Sequence, residues 1–333
     1  MPTSSLLTYL DGNDQSSTPP TVVADVGGDA PSWAGEHRGV RALAAEHGSV
    51  LIRGLGLNDA PGFEAVAHQL TAALVAEVEA FAPRQPRAAG VYASTPWPEN
   101  QPMCMHHELS YALEFPGLMM FACIAKPAVG GTIGVADAAA VLGALPTTLV
   151  ARFEREGWLL TRSYNDEIGA TIAESFGSDD RTEVERYCQA NAIELEWQPD
   201  GGLRTRQRRP AVVQHPLTGH RCWFNQIAFL NEWTMAPEVH EFLVDEYGAD
   251  GLPFNTRFGN GDPISADVVQ LINDVYEANT SRVAWEPGDL LLVDNVRSAH
   301  SRQPFEGHRD VLVAMADAVR LTDCSPTVGR LER

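Results

Sequence analysis

The feature that most constrains this chain is a pair of short segments far apart along it. One is His106-His107-Glu108, and the other is Asp294-Asn295-Val296-Arg297-Ser298-Ala299-His300. Residues two apart on a strand project to the same face, so His106 and Glu108 can point into one cavity while His107 points away. If His300 joins them, the fold must bring distant parts of the chain to a single point. Two imidazoles and one carboxylate on one side of a metal leave positions open for a chelating co-substrate and dioxygen, the donor set of non-haem Fe(II) sites. A structural zinc site would instead close all four positions. The His-x-Glu spacing by itself is weak evidence and more often marks ordinary solvated or hydrogen-bonded side chains.

The second segment gives the first its weight. Pro287-Gly288 is a turn signal, and the apolar run Leu290-Leu291-Leu292-Val293 after it has the length and composition of a strand buried on both faces. A short loop is expected to present His300. Arg302, Pro304, Phe305, Gly307 and Arg309 follow, and then Asp310-Val311-Leu312-Val313-Ala314-Met315, a second apolar strand. Arg309 therefore stands at the mouth of a strand, where a guanidinium can grip the far carboxylate of a dicarboxylic acid whose other end chelates the metal. Without His300 nearby, Arg309 would read as a surface ion pair.

At these residues the sequence resembles the taurine dioxygenase-like (TauD/TfdA) family of Fe(II)/2-oxoglutarate-dependent oxygenases. The matching features run in the same order. They are His106-His107-Glu108-Leu109-Ser110-Tyr111, a Phe121-Ala122-Cys123 strand leading to Lys126-Pro127-Ala128, Gly130-Gly131 before Asp137, Phe224-Asn225-Gln226, and Gly288-Asp289 through Arg309. The likeness spans roughly residues 35–320, and the ordered set is far more specific than any single member. It is nearest to the sub-branch that modifies amino acids or their derivatives in natural-product biosynthesis, whose members often have His-Asn-Glu in place of His106-His107-Glu108. By matching position, the resemblance implies Fe(II) ligation by His106, Glu108 and His300 and anchoring of 2-oxoglutarate by Arg309. The fold it implies is mainly β with flanking helices (α+β), a clavaminate synthase-like double-stranded β-helix, or jelly-roll, of two facing sheets. The many short strand candidates agree with it. The activity it implies consumes dioxygen and 2-oxoglutarate, releases succinate, and oxidises an unactivated C–H bond. Glu108 is present where related halogenases lack the carboxylate, so hydroxylation is expected, with desaturation or cyclisation left open.

Two positions depart from the family pattern. Ile133 stands where a threonine usually helps hold 2-oxoglutarate, and Thr132 beside it is the nearest replacement hydroxyl. Val313 stands where taurine-type members place an arginine for a sulfonate, which argues against a sulfonate held in that manner. Tyr111, Ser94, Phe224, Asn225 and Gln226 match family positions near the substrate opening and are candidate substrate contacts. Such residues also satisfy buried backbone groups and fill cores. His107 is expected to contact substrate or to support the ligands through a hydrogen bond.

A chain of 333 residues, 44% of them apolar, can bury a large core, and one elaborated domain at 23–333 is expected after a loose arm at 1–22 rich in Ser, Thr, Asp and Pro. With 24 basic and 44 acidic residues the formal charge is -20, which repels polyanions and argues against nucleic acid as a partner. Cysteines 104, 123, 188, 222 and 324 show no spacing of a disulfide framework or zinc knuckle. No basic segment leads into an apolar one at the N-terminus, and no apolar stretch approaches the roughly 18 residues of a membrane span. A cytoplasmic enzyme without a membrane partner is expected, acting on a small amino-acid-derived substrate, free or carrier-tethered, with a homo-oligomer left open.

Helical spacing covers 35–47 and 60–74, and 49–55 reads as a strand. Prolines make 83–102 irregular. A helical insertion at about 138–205 interrupts the core, with helices at 138–145, 147–155 and 180–192 and short strands at 158–164 and 193–197; such insertions are natural places for substrate contacts. In and beside it, Arg204, Arg206, Arg208 and Arg209 can bind a carboxylate or phosphate from one strand face, or pair with neighbouring acidic residues. Two rival functions share the same ligands: a cupin-like metal-binding protein without turnover, and a zinc hydrolase with a metal-bound water.

Overall fold

Alternate residues of the apolar strands face two different cores. In Leu290–Asp294, Leu290 and Leu292 point to one and Leu291 and Val293 to the other; in its neighbour Glu114–Ala125, Leu118, Met120 and Ala122 oppose Met119, Phe121 and Cys123. All ten are buried, so the period of two places these strands inside the molecule rather than on its surface. The computed structural model describes residues 9–10, 19–26, 29–79, 81–165, 167–282 and 284–327.

The main sheet has eight strands, in the order Tyr9–Leu10, Thr21–Val23, Ser49–Arg53, Leu290–Asp294, Glu114–Ala125, Asp310–Arg320, Val91–Ala93 and Pro86–Ala88. Ala30–Glu36, Val40–His47 and Ala60–Leu70 cover its outer face, with Trp33, Val40, Phe63, Val66 and Leu70 buried against the outward strand residues. Its inner face shares a core with a four-stranded sheet ordered Thr280–Arg282, Ile133–Asp137, Ser298–Arg302 and Met103–His106. Two facing sheets with helices over one of them make the expected double-stranded β-helix.

Several local expectations need correction. The helix read over 35–47 is two helices, Ala30–Glu36 and Val40–His47, and the one read over 60–74 ends at Leu70. The stretch 83–102 contributes two short strands, Pro86–Ala88 and Val91–Ala93; Pro86 is tolerated because its strand is the sheet's last, where a missing N–H breaks no inner ladder. Of the stretch 1–22 read as a loose arm, Tyr9–Leu10 and Thr21–Val23 are strands, while 1–8 and 11–18 lie outside the described residues.

The insertion read as helical at about 138–205 is larger and mixed. It leaves the small sheet after Ile133–Asp137 and returns as the neighbouring strand Thr280–Arg282, so everything from 138 to 279 is looped out between two paired strands. Besides helices it carries its own sheet, ordered Glu194–Trp197, Leu203–Arg209, Trp158–Tyr164 and Phe254–Phe258. Along Leu203–Arg209 the burial alternates: Leu203, Thr205, Gln207 and Arg209 point in, and Arg204, Arg206 and Arg208 point out. Arg204 and Arg206 sit opposite Glu196 and Glu194 in register, so the basic cluster is cross-strand charge complementarity on a sheet surface. Arg209 is buried and donates to the carbonyls of Tyr111, Asn191, Ala192 and Arg208.

Glu79 ties the insertion to the main scaffold. It is 1% exposed; its carboxylate accepts from Tyr187 at 3.0 Å and Gln207 at 2.9 Å, and its carbonyl accepts from Tyr111 and Arg162. No helix among the described residues is long and apolar enough to cross a membrane. Glu79→Ala strands two inward-facing donors, and urea denaturation should show a loss of about 2–3 kcal/mol. An unchanged midpoint would contradict this account of the anchor.

Candidate metal centre

Strand pairing brings the two candidate histidine ligands together. Met103–His106 lies antiparallel to Ser298–Arg302, with His106 directly opposite His300. The strand ends at His106, and Glu108 follows in a turn in which Leu109 adopts φ 52°, a left-handed conformation that a buried leucine holds only when its surroundings enforce it. The donor atoms of His106, Glu108 and His300 all lie within 4.8 Å of one another, and all three residues are buried. His300 sits inside a strand, not on the expected loop; the turn before it is shaped by Asp294 Oδ1, which accepts from the backbone N–H groups of Val296 and Arg297.

Asn295 clamps the ligand segment in place. Its Oδ1 accepts from Glu108 N at 2.7 Å, and its Nδ2 donates to the carbonyls of Glu108 at 2.9 Å and Pro116 at 2.8 Å. Its own carbonyl meets His107 Nδ1 at 2.6 Å. One fully buried side chain thus replaces a stretch of sheet hydrogen bonding across the gap between the two ligand segments.

The electrostatics favour a bound cation. His106 Nδ1 lies 2.9 Å from the carbonyl of Cys104, which places the proton there and leaves Nε2 as the donor to a metal. Burial keeps His106 and His300 below the usual imidazole range, so both are neutral ligands at pH 7. Burial alone would raise the Glu108 carboxyl, but Arg84 and His106 together hold it below the ordinary range. Arg84, which the sequence did not single out, donates to Glu108 Oε2 at 2.8 Å. Two neutral imidazoles and one ionised carboxylate, with one side free, suit Fe(II).

A narrow cavity of about 30 Å³ links this cluster to Arg309. Met103, Phe121, Ile133, Val311 and Val313 form its apolar wall, and Ser94, Thr95, Arg84 and Arg302 supply polar groups. Arg309 Nε donates to the carbonyl of Gly131 at 3.0 Å and Nη1 to Ser94 Oγ at 3.3 Å; among the described residues it has no carboxylate partner. Gly131, at φ 72°, permits this approach, since a Cβ there would stand 3.1 Å from Arg309 Cδ and 2.6 Å from Pro127 Cγ. A volume suited to water admits a five-carbon diacid only if wall side chains turn aside, with Arg309 exchanging its present partners for the diacid.

The other candidates fall in different places. Thr132 donates its hydroxyl to Gln303, and it is Ile133 that lines the cavity, where Ser94, Thr95 and Ser301 supply the hydroxyls. Ser94, read as a substrate contact, stands at the Arg309 end. Tyr111 is buried with its hydroxyl on the Glu79 carbonyl, away from the cavity. Asn225 bonds the backbone of Ala211 and Ile227, Gln226 bonds the carbonyl of His107, and Phe224 packs between His107 and Phe115. These residues and His107 build the floor behind the ligands and do not line the cavity. Phe229, unread in the sequence, stacks on His106 at 4.6 Å and leans on Phe81 and Trp97.

Burial lowers His107 to about 4 from 6.5. Between those values the unfolded chain binds a proton that the folded one excludes, so acidification from pH 6.5 to 4 should remove roughly 3 kcal/mol of stability from the metal-free protein. His107→Asn keeps an amide donor for Asn295 and should flatten that part of the pH dependence in urea denaturation. An identical slope in the variant would contradict the assignment.

Residues 14–315 match the family described as "Taurine catabolism dioxygenase TauD, TfdA family". The dapdiamide synthesis protein DdaC of Enterobacter agglomerans is 32% identical over 85% of this chain and 86% of its own length. A clavaminate synthase-like protein of Arabidopsis thaliana is 28% identical over 82% of this chain and 83% of its own. In fold, PvcB of Pseudomonas aeruginosa is similar with a TM-score of 0.53 at 13% identity, covering 96% of this chain and 92% of that one. The chain belongs to the TauD/TfdA family and is an Fe(II)/2-oxoglutarate-dependent oxygenase, with a His106-Glu108-His300 cluster that could hold the metal.

Proposed function

We propose that the protein hydroxylates an unactivated C–H bond of an amino acid or amino-acid-derived intermediate in natural-product biosynthesis. The observation that carries this reading is a single cavity lined by His106, His300 and a guanidinium, Arg309, that has no carboxylate partner among the described residues. Support for the substrate class comes from DdaC, a dapdiamide synthesis protein, and from PvcB, an Fe, alpha-ketoglutarate dependent oxygenase from an isonitrile synthetic pathway.

Iron, 2-oxoglutarate and dioxygen together supply the oxidising power, and the chain supplies placement and exclusion. His106, Glu108 and His300 would hold the metal. Arg309 and Ser94 take the far carboxylate of the diacid, with charge-assisted hydrogen bonds to fix its angle. The apolar wall of Met103, Phe121, Ile133, Val311 and Val313 keeps water from the reacting centre. Phe229, buried and backed by Trp97, stacks on His106 and fixes the plane of its imidazole. Glu108 fills the ligand position that a halogenase would free for a halide, which favours oxygen transfer.

Anaerobic addition of Fe(II) and 2-oxoglutarate should produce a visible metal-to-ligand charge-transfer band, and its absence would overturn the oxygenase reading. In a screen of amino acids and their derivatives, substrate-dependent succinate should accompany a product heavier by one oxygen. Loss of two hydrogens would replace hydroxylation by desaturation or ring closure. Arg309→Gln removes a buried charge-to-charge contact worth about 2 kcal/mol or more, so the KM for 2-oxoglutarate should rise at least about 30-fold. An unchanged KM would place the diacid elsewhere.

A further inference from the structure

Glu108 is not held by its backbone clamp alone. Arg84 reaches into the metal cavity with Nη2 on Glu108 Oε2 at 2.8 Å, while its Nη1 and backbone N–H take Glu77 Oε1 at 2.6 Å and Oε2 at 3.1 Å. The side chains of Glu77, Arg84 and Glu108 are 13%, 5% and 8% exposed. Three charges of alternating sign, Arg84 and Glu108 buried and Glu77 mostly so, thus stand in a row that ends on a candidate metal ligand.

Building on the oxygenase reading, we propose that Arg84 is a positioning residue for the iron centre and that Glu77 is its counter-ion. A free carboxylate can rotate about its last bond or offer both oxygens to one ion. Tying one oxygen to a rigid guanidinium fixes the plane of the carboxylate and disfavours two-oxygen ligation, which would occupy a position that the diacid or dioxygen needs. A guanidinium beside a dication opposes binding unless its charge is offset, and Glu77 offsets it from the far side. The arrangement is sensitive to any break, because removing one member leaves the others unpaired in a poorly solvated place.

The test uses Mn(II) as the probe, without 2-oxoglutarate or turnover. Calorimetric Mn(II) titrations of the full chain, alongside thermal melting without metal, compare the parent with Arg84→Gln, Arg84→Lys and Glu77→Gln. Arg84→Gln and Glu77→Gln should each weaken Mn(II) binding by about 10- to 100-fold in folded protein, and Arg84→Lys, which restores the charge without the fork, should fall between them and the parent. A merely structural role would lower melting temperatures and leave affinity within about twofold of the parent, which overturns the proposal. If Arg84→Gln does not fold, Glu77→Gln decides by the same criterion, since it leaves Arg84 on Glu108. Weakened Mn(II) binding in the variants of a parent that shows no charge-transfer band with Fe(II) and 2-oxoglutarate sinks the oxygenase reading and supports this one. A parent that binds no Mn(II) overturns both.

Discussion

The register between Met103–His106 and Ser298–Arg302 is the constraint from which the site follows. Because side chains alternate across a strand, a slip of one residue would turn His300 to the opposite face and remove it from the cavity. The pairing is held from several directions. Ser298–Arg302 is hydrogen-bonded along its whole length to Ile133–Asp137 on its other side, and Asp294 and Asn295 fix the turn that feeds it. The strand before that turn, Leu290–Asp294, is buried on both faces and cannot shift without exposing leucines on one side or the other. The jelly-roll core therefore places the donor atoms, and loop flexibility has little part in it.

Charge is arranged around this geometry with equal economy. Buried charges are costly unless paired, and the cavity obeys that rule almost throughout. Glu108 has Arg84, Arg84 has Glu77, and Arg302 spreads its charge over the carbonyls of Trp97, Pro98 and Gln101. Arg309 is less satisfied than Arg302: half-buried, lowered to about 10 by burial and by Arg302, and bonded among the described residues to one carbonyl and one hydroxyl. A cation kept in that state at the end of a cavity whose other end gathers metal donors is complementary to a molecule with a free carboxylate at one end and a chelating group at the other.

Much of this was legible in the sequence, and the limits have physical causes. The apolar runs at 290–293 and 311–315 announced central strands because burial on both faces leaves no polar alternation. None of His106, Glu108, His300 and Arg309 was decisive alone; they stood out because they occur together, in the order that the TauD/TfdA resemblance marks. Arg84 did not, since no periodicity links it to Glu108 and it lies among prolines; only the fold brings them together. Tyr111, Asn225, Gln226 and Phe224 were read as substrate contacts from their resemblance to family positions, yet each is consumed by backbone or packing partners behind the ligands. A buried polar side chain looks the same in sequence whether it serves a substrate or the chain itself. The insertion sheet was half visible, through the short strands read at 158–164 and 193–197, but its extent to residue 279 depends on a pairing between Ile133–Asp137 and Thr280–Arg282 that leaves no local trace.

The central claim is that three side chains drawn from two distant segments share one ferrous ion beside the Arg309 seat. Crystals grown anaerobically with Fe(II) and 2-oxoglutarate, measured on both sides of the iron absorption edge, test it directly. The account predicts one anomalous peak at bonding distance from His106, Glu108 and His300, with the diacid running from that peak to the Arg309 guanidinium. A peak lying elsewhere, or a diacid pointing away from Arg309, would contradict it.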